Sequence, residues 1–261
     1  MRKHRWVSVS TFVAPAFLLM LCLLQGCGHS KEARVDVPPP PPAADPGPDG
    51  SRPKGAVRLP EGTKEAADLA EPTIPNDATP IAIETGRASW YGPPYHNRRG
   101  SNGEIYNMHA MTAAHRTLPL GSIVRVTNLK TGDTALVRIT DRGPFITGRI
   151  IDLSLAAARK IDLYRVGVAE VRVEVMETPA PLGSGGKWAV QIGGFPHEEA
   201  AEKLAEHLKR RYRTAKVLKF SSPAGDWWVR VRVLEDDRER ARKLAAETAT
   251  PEGAVFLVRL D

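Results

Sequence analysis

Between residues 86 and 178 six short apolar runs follow one another closely, and this spacing constrains the fold more than any other feature. The runs fall at 87–90, 111–114, 123–128, 135–141, 149–152 and 170–176, each the length of a strand. Ile123-Val124-Arg125-Val126 and Val171-Arg172-Val173-Glu174-Val175 show the two-residue period of a strand with one buried face. Lys130-Thr131-Gly132-Asp133 is a turn between two runs. Ser154 ahead of Leu155-Ala156-Ala157-Ala158-Arg159-Lys160 predicts a short capped helix. Six short strands and one or two helices in about 90 residues predict a small closed barrel.

The chain ahead of this segment reads as delivery and tether. Arg2, Lys3 and Arg5 precede an uncharged apolar run at 12–24, broken only by Pro15. A membrane span needs about 20 residues, so the run fits a signal-peptide core instead. It ends in Leu24-Gln25-Gly26-Cys27, which resembles the bacterial lipobox. The resemblance implies that residues 1–26 are removed and that Cys27 carries the lipid, palmitate included. Gly28 stands where retention in the inner membrane uses Asp, which implies an outer-membrane lipoprotein facing the periplasm. A plain secretory signal with an incidental Cys27 is the alternative. Cys22 and Cys27 are the two cysteines, so the processed chain has no thiol left for a disulfide.

Residues 27–85 contain the proline run 38–42 and seven later prolines. Without aromatics, such a segment buries too little apolar surface to offset the entropy of ordering, and a disordered tether is expected. It would reach about 40 Å as a coil and somewhat over about 150 Å as polyproline II. The net charge of +7 comes from the segments on either side, because the tether is acidic. A basic surface suits nucleic acid, an anionic membrane or an acidic wall polymer. The chain has no nucleic-acid-binding motif, which argues against the first.

Two acids stand in unusual settings: Glu104 in Ser101-Asn102-Gly103-Glu104, and Asp141 in Thr140-Asp141-Arg142-Gly143-Pro144-Phe145. Each also has a plain explanation, Glu104 as a solvated loop acid and Asp141 as a turn acceptor of backbone N–H groups. Together with Ala88-Ser89-Trp90-Tyr91-Gly92, Asn102-Gly103-Glu104-Ile105-Tyr106, residues 112–120, Val126-Thr127-Asn128-Leu129 and Ile150-Ile151-Asp152-Leu153-Ser154, they resemble the rare lipoprotein A family. That resemblance implies a six-stranded double-psi β-barrel acting on peptidoglycan. Its active members are lytic transglycosylases, and its paired acids fall on Glu104 and Asp141, its His on His115. It implies no metal and no cofactor.

In such a reaction one carboxyl group protonates the glycosidic oxygen and then takes a proton from the sugar's own 6-hydroxyl, while a second group stabilises the cationic centre. Asp141 is the expected acid and base, with Pro144 and Phe145 as an apolar wall; Glu104 is the expected stabiliser, and the roles are reversible. Arg142 opposes that wall unless its side chain points away. His115 is expected in support or as a structural residue, and Asp152 in support or as a helix cap. Trp90 and Tyr91 either stack on sugar or fill the barrel. Asn107 and Ser101 depart from the family pattern, which has Asp at the first position and Thr or Ala at the second.

After a linker at 179–186, residues 187–261 read as strand 188–192, helix 196–211, strands 215–220 and 227–233, helix 238–247 and strand 255–260. This βαββαβ order predicts an α+β, ferredoxin-like unit, a four-stranded antiparallel sheet with both helices on one face. Trp188-Ala189-Val190-Gln191-Ile192-Gly193-Gly194-Phe195 and Trp228-Val229-Arg230-Val231 resemble the SPOR domain. The resemblance implies binding of glycan strands that lack stem peptides, by Gln191, Phe195, Trp228 and Arg230 on the open sheet face, with enrichment at the division septum. The expected protein is a monomeric, membrane-anchored lytic transglycosylase; the alternative is a lipoprotein that binds or loosens peptidoglycan without cutting it.

Overall fold

The computed structural model describes residues 69–75, 77–220, 222, 224–250 and 253–261. The signal, Cys27 and most of the tether lie outside them. Six strands close a barrel: β1 (Ala82–Trp90), β2 (Thr112–His115), β3 (Ile123–Asn128), β4 (Thr134–Asp141), β5 (Arg149–Leu153) and β6 (Ala169–Glu177). Around it the order is β1-β5-β2-β4-β3-β6. The pairs β1/β5 and β2/β4 are parallel and the other four antiparallel.

Alternation works as the sequence predicts. Val124 and Val126 on β3 and Val171 and Val173 on β6 point inward and are fully or almost fully buried. Val137 and Ile139 on β4 and Ile151 and Leu153 on β5 complete the core, each worth about 1.5–3 kcal/mol by removal from water. Helix α1 (Leu155–Lys160) closes one end, with Ala157 and Ala158 fully buried. Ser154 caps it by accepting the Ala157 N–H at 3.2 Å. Ser154→Ala is expected to cost about 1 kcal/mol, read as a shift in denaturant midpoint at constant m-value.

β1 starts at Ala82, four residues ahead of the sequence boundary, and pairs with β6 from Ala82↔Val175 onward. The tether's end also touches the barrel. Glu71 accepts the Leu136 N–H at 2.6 Å and pairs with Lys160.

The second unit is built from β7 (Trp188–Phe195), α2 (Glu198–Lys209), β8 (Lys216–Lys219), β9 (Trp227–Arg232), α3 (Arg238–Glu247) and β10 (Ala254–Arg259). Its antiparallel sheet has the order β10-β7-β9-β8. Trp188, Val190, Ile192, Val229 and Val231 pack with Ala201, Ala205 and Leu208 of α2 and Ala241 and Leu244 of α3. Yet every residue of β7 is buried. The sheet face opposite the helices is not open, because the barrel covers part of it.

Candidate active site

Asp141 is the last residue of β4 and stands in register with Ala114 of β2, which in turn stands opposite Asp152 of β5. Three adjacent strands thus set two aspartates in one row with only a methyl group between them. Asp141 Oδ1 accepts three hydrogen bonds, from the Ser101 N–H at 2.9 Å, the Ser101 hydroxyl at 2.5 Å and the Arg142 N–H at 2.7 Å. The loop carrying Ser101 is thereby clamped to the strand end.

That loop brings Glu104 to the same place. Asn102 Nδ2 donates to Glu104 Oε2 at 2.8 Å, and Asn102 Oδ1 accepts the Glu104 N–H at 3.0 Å. Gly103, at φ +87°, supplies the left-handed residue this tight reversal requires. Glu104 and Asp141 line one cleft, together with Asn102, Tyr106, Asn107 and Thr112. Ser101, Asn102, Tyr106 and Thr112 lie in the motifs around the two acids, but nothing in the sequence singles them out as groups that hold or line the cleft.

Phe145, expected with Pro144 as an apolar wall beside Asp141, is not there. Phe145 turns into the second unit, with ring centroids 5.5 Å from Trp228 and 5.8 Å from Phe256. Arg142 also points away from Asp141. Its guanidinium donates to the carbonyls of His115 at 3.0 Å, Leu118 at 2.7 Å and Asp261 at 2.5 Å. Burial pulls its pKa down to about 10, partly offset by Asp261 and Asp141, and it stays charged at neutral pH.

His115 is buried and does not line the cleft. Its Nδ1 accepts the N–H groups of Thr117 at 3.2 Å and Leu118 at 3.0 Å, so the proton sits on Nε2, 3.2 Å from Glu84 Oε2. Burial holds its pKa below the ordinary value despite Glu84, while the hydrogen bond from His115 holds Glu84 down. The unfolded chain therefore takes up a proton at His115 near pH 6.5 that the folded chain refuses, and stability falls as pH drops below that value. Glu84 adds a loss in the same direction below about 4.5. A melting temperature that declines from pH 7 to pH 5, with a shallower decline in His115→Gln, is the expected result.

Asp152 accepts the Ser89 hydroxyl at 2.5 Å and lies 3.4 Å from Arg149 Nη2. Burial raises its pKa, with Arg149 and Ser89 pulling back. Ser154, not Asp152, is the helix cap. Tyr91 stacks on Tyr106 at 4.2 Å and 19°, and Trp90 packs against Tyr164 at 5.1 Å, half-buried at the barrel edge.

In the second unit, Gln191, Trp228 and Arg230 share the face opposite the helices, and Arg230 donates to Gln191 Oε1 at 2.7 and 3.2 Å. Phe195 is a correction. A bulge between Gly193 and Phe195 reverses the side-chain alternation and sends Phe195 into the core under the helices. Gln191 and Trp228 are 0% exposed, so that face is covered rather than open.

Residues 83–173 match the family described as Lytic transglycolase, and residues 184–255 match the SPOR domain. The chain is 47% identical over 132 residues to the endolytic peptidoglycan transglycosylase RlpA of Vibrio cholerae, covering 48% of this chain and 50% of that one. In both segments it is similar to the rare lipoprotein A family. The RlpA of Pseudomonas aeruginosa strain UCBPP-PA14 is 40% identical over 148 residues, with 57% of this chain and 43% of that one covered. A protein of Synechocystis sp., described as a probable endolytic peptidoglycan transglycosylase RlpA, is 54% identical over 100 residues, 38% and 31% of the two chains. The chain thus spans about half the length, or less, of the curated relatives it matches. The matched barrel segment contains every residue that lines the cleft.

Proposed function

We propose that the barrel is an endolytic lytic transglycosylase that cuts the bond between N-acetylmuramic acid and N-acetylglucosamine in peptidoglycan. The observation that carries the reading is Glu104 and Asp141 lining one cleft, with Asp141 fixed by Ser101. We assign the acid and base role to Glu104. Asp141 Oδ1 accepts three hydrogen bonds, and the aromatic side chain expected beside it is turned elsewhere. A carboxylate held in this way suits the task of facing a developing positive charge.

Glu104 delivers its proton to the glycosidic oxygen as the bond to C1 breaks, and the N-acetylglucosamine side leaves as an alcohol. Asp141 stabilises the oxocarbenium-like centre. Glu104, now a carboxylate, takes the proton of the 6-hydroxyl as that oxygen bonds to C1, which closes the 1,6-anhydro ring and restores the acid. No water is consumed. The purified protein is expected to release anhydro-muropeptides from sacculi stripped of stem peptides by an amidase, read by mass spectrometry. Reducing ends instead would mean hydrolysis, and no product at all would remove the enzymatic reading.

The C-terminal unit is proposed to bind the same strands through Gln191, Trp228 and Arg230, and so to bring the barrel to peptide-free glycan at the septum. Cys27 would tether the chain to the outer membrane, and Gly28→Asp is expected to shift it to the inner membrane in fractionated cells. A second reading, binding without cleavage, has Asn107 in its favour, an amide lining the cleft where the family pattern has an acid. In that case the parent releases no product, and Glu104→Gln and Asp141→Asn bind the same strands as tightly as the parent does.

A further inference from the structure

Phe145 lies only four residues after Asp141, yet its ring is seated in the second unit, between Trp228 at 5.5 Å, Phe256 at 5.8 Å and Phe220 at 5.9 Å. Phe220 and Trp228 are stacked at 5.1 Å and 11°, so the seat is a flat aromatic platform. Beside it, Gln191 is fully buried, and its Nε2 has no hydrogen-bond partner among the described residues, although its Oε1 accepts from Arg230. Aromatic rings flanked by an amide and a guanidinium match the two needs of a saccharide, apolar ring faces and hydroxyl partners. In the docked arrangement a phenyl ring lies on that platform, and among the described residues one amide donor is left unmatched.

The contact extends along the loop after Asp141 and the chain that follows His115. Asp261 O accepts from Arg142 Nη2 at 2.5 Å and from the Leu120 N–H at 3.3 Å, and the Arg259 N–H donates to Arg116 O at 2.9 Å. Arg116 also stands 5.5 Å over the Phe256 ring. Its Nη1 holds the Pro144 carbonyl at 2.9 Å, so the same arginine grips both the loop and the second unit.

We propose that Phe145 and a glycan strand compete for one face of the C-terminal unit, so that the docked protein is a resting form and strand binding releases the loop that follows Asp141. This rests on the proposal above that Gln191, Trp228 and Arg230 bind peptide-free glycan. A ligand that needs a minor, open form binds more weakly in proportion to that form's population; a face open in a tenth of molecules loses about tenfold in apparent affinity. Taking Phe145 away removes the competitor and leaves the proposed sugar-binding side chains intact.

The test uses the full chain in a Glu104→Gln background, so that strands are not cut, and purified peptide-free glycan as the probe. Phe145→Ala is expected to bind at least about tenfold more tightly, with Phe145→Leu between it and the parent. Amide exchange in strands β9 and β10 is expected to rise in Phe145→Ala before glycan is added. Adding Arg230→Ala to Phe145→Ala is expected to abolish the gain. Tight binding that depends on Arg230 but is equal with and without Phe145 would overturn the competition and leave the glycan reading standing. Binding indifferent to Arg230 in both backgrounds would overturn the glycan reading of this face, and the competition with it.

Discussion

Glu104→Gln is expected to lower the release of anhydro-muropeptides by about 10²–10⁴-fold, the usual contribution of a positioned general acid and base. The change swaps one carboxylate oxygen for an amide and keeps the volume, so the loop should hold its shape. Oε2 accepts from Asn102 Nδ2, and a glutamine that presents its carbonyl oxygen there can keep that bond. The backbone half of the clasp, Glu104 N–H to Asn102 Oδ1, does not involve the substituted group at all. What is lost is the proton for the leaving oxygen and the base for the 6-hydroxyl. The deficit should therefore lie in kcat, with KM and the affinity for peptide-free strands little changed. A variant that loses binding in parallel would show Glu104 to be a contact residue rather than the acid.

Much of this fold was legible because its strands are half-buried and so carry a two-residue period. β3 and β6 alternate cleanly, and Val124, Val126, Val171 and Val173 lie in the core as that period requires. The cap at Ser154 was legible for an equally local reason. The first half of β1 was not. Ile83 is 60% exposed, and the strand starts two residues after Pro80, so residues 82–86 look like the end of a proline-rich tether. What makes them a strand is pairing with β6, nearly ninety residues later, which no local pattern carries.

The cleft was half legible. The acids stand out as residue types in glycine-rich surroundings, but the groups that hold them, Ser101 and Asn102, are ordinary loop residues until the fold closes. The larger misreading concerned Phe145. Nearness in sequence to Asp141 made it a wall for that carboxylate, whereas the backbone turn through Gly143 and Pro144 directs it into another unit altogether. Gln191, Trp228 and Phe195 fail as a simple open-face set for two distinct reasons. One is a bulge that reverses alternation, and the other is a neighbouring unit that a strand-by-strand reading does not see.

Asp141→Asn is the second substitution with a large expected effect, about 10²–10³-fold in kcat, the scale of removing one preorganised electrostatic group. The amide oxygen can still accept from Ser101 and from the Arg142 N–H, so the clamp on the loop survives. The other position then carries an NH₂ group. It offers a positive dipole where the reaction builds positive charge, and the loss should fall on the transition state rather than on strand binding. Ser101→Ala tests the same arrangement from the opposite side. It leaves the carboxylate but removes one of its three donors, so its effect should be smaller than that of Asp141→Asn. Combined with Asp141→Asn it should add little, because both act through one oxygen. A Ser101→Ala loss as large as that of Asp141→Asn would mean that the loop's position, and not the charge on Asp141, sets the rate.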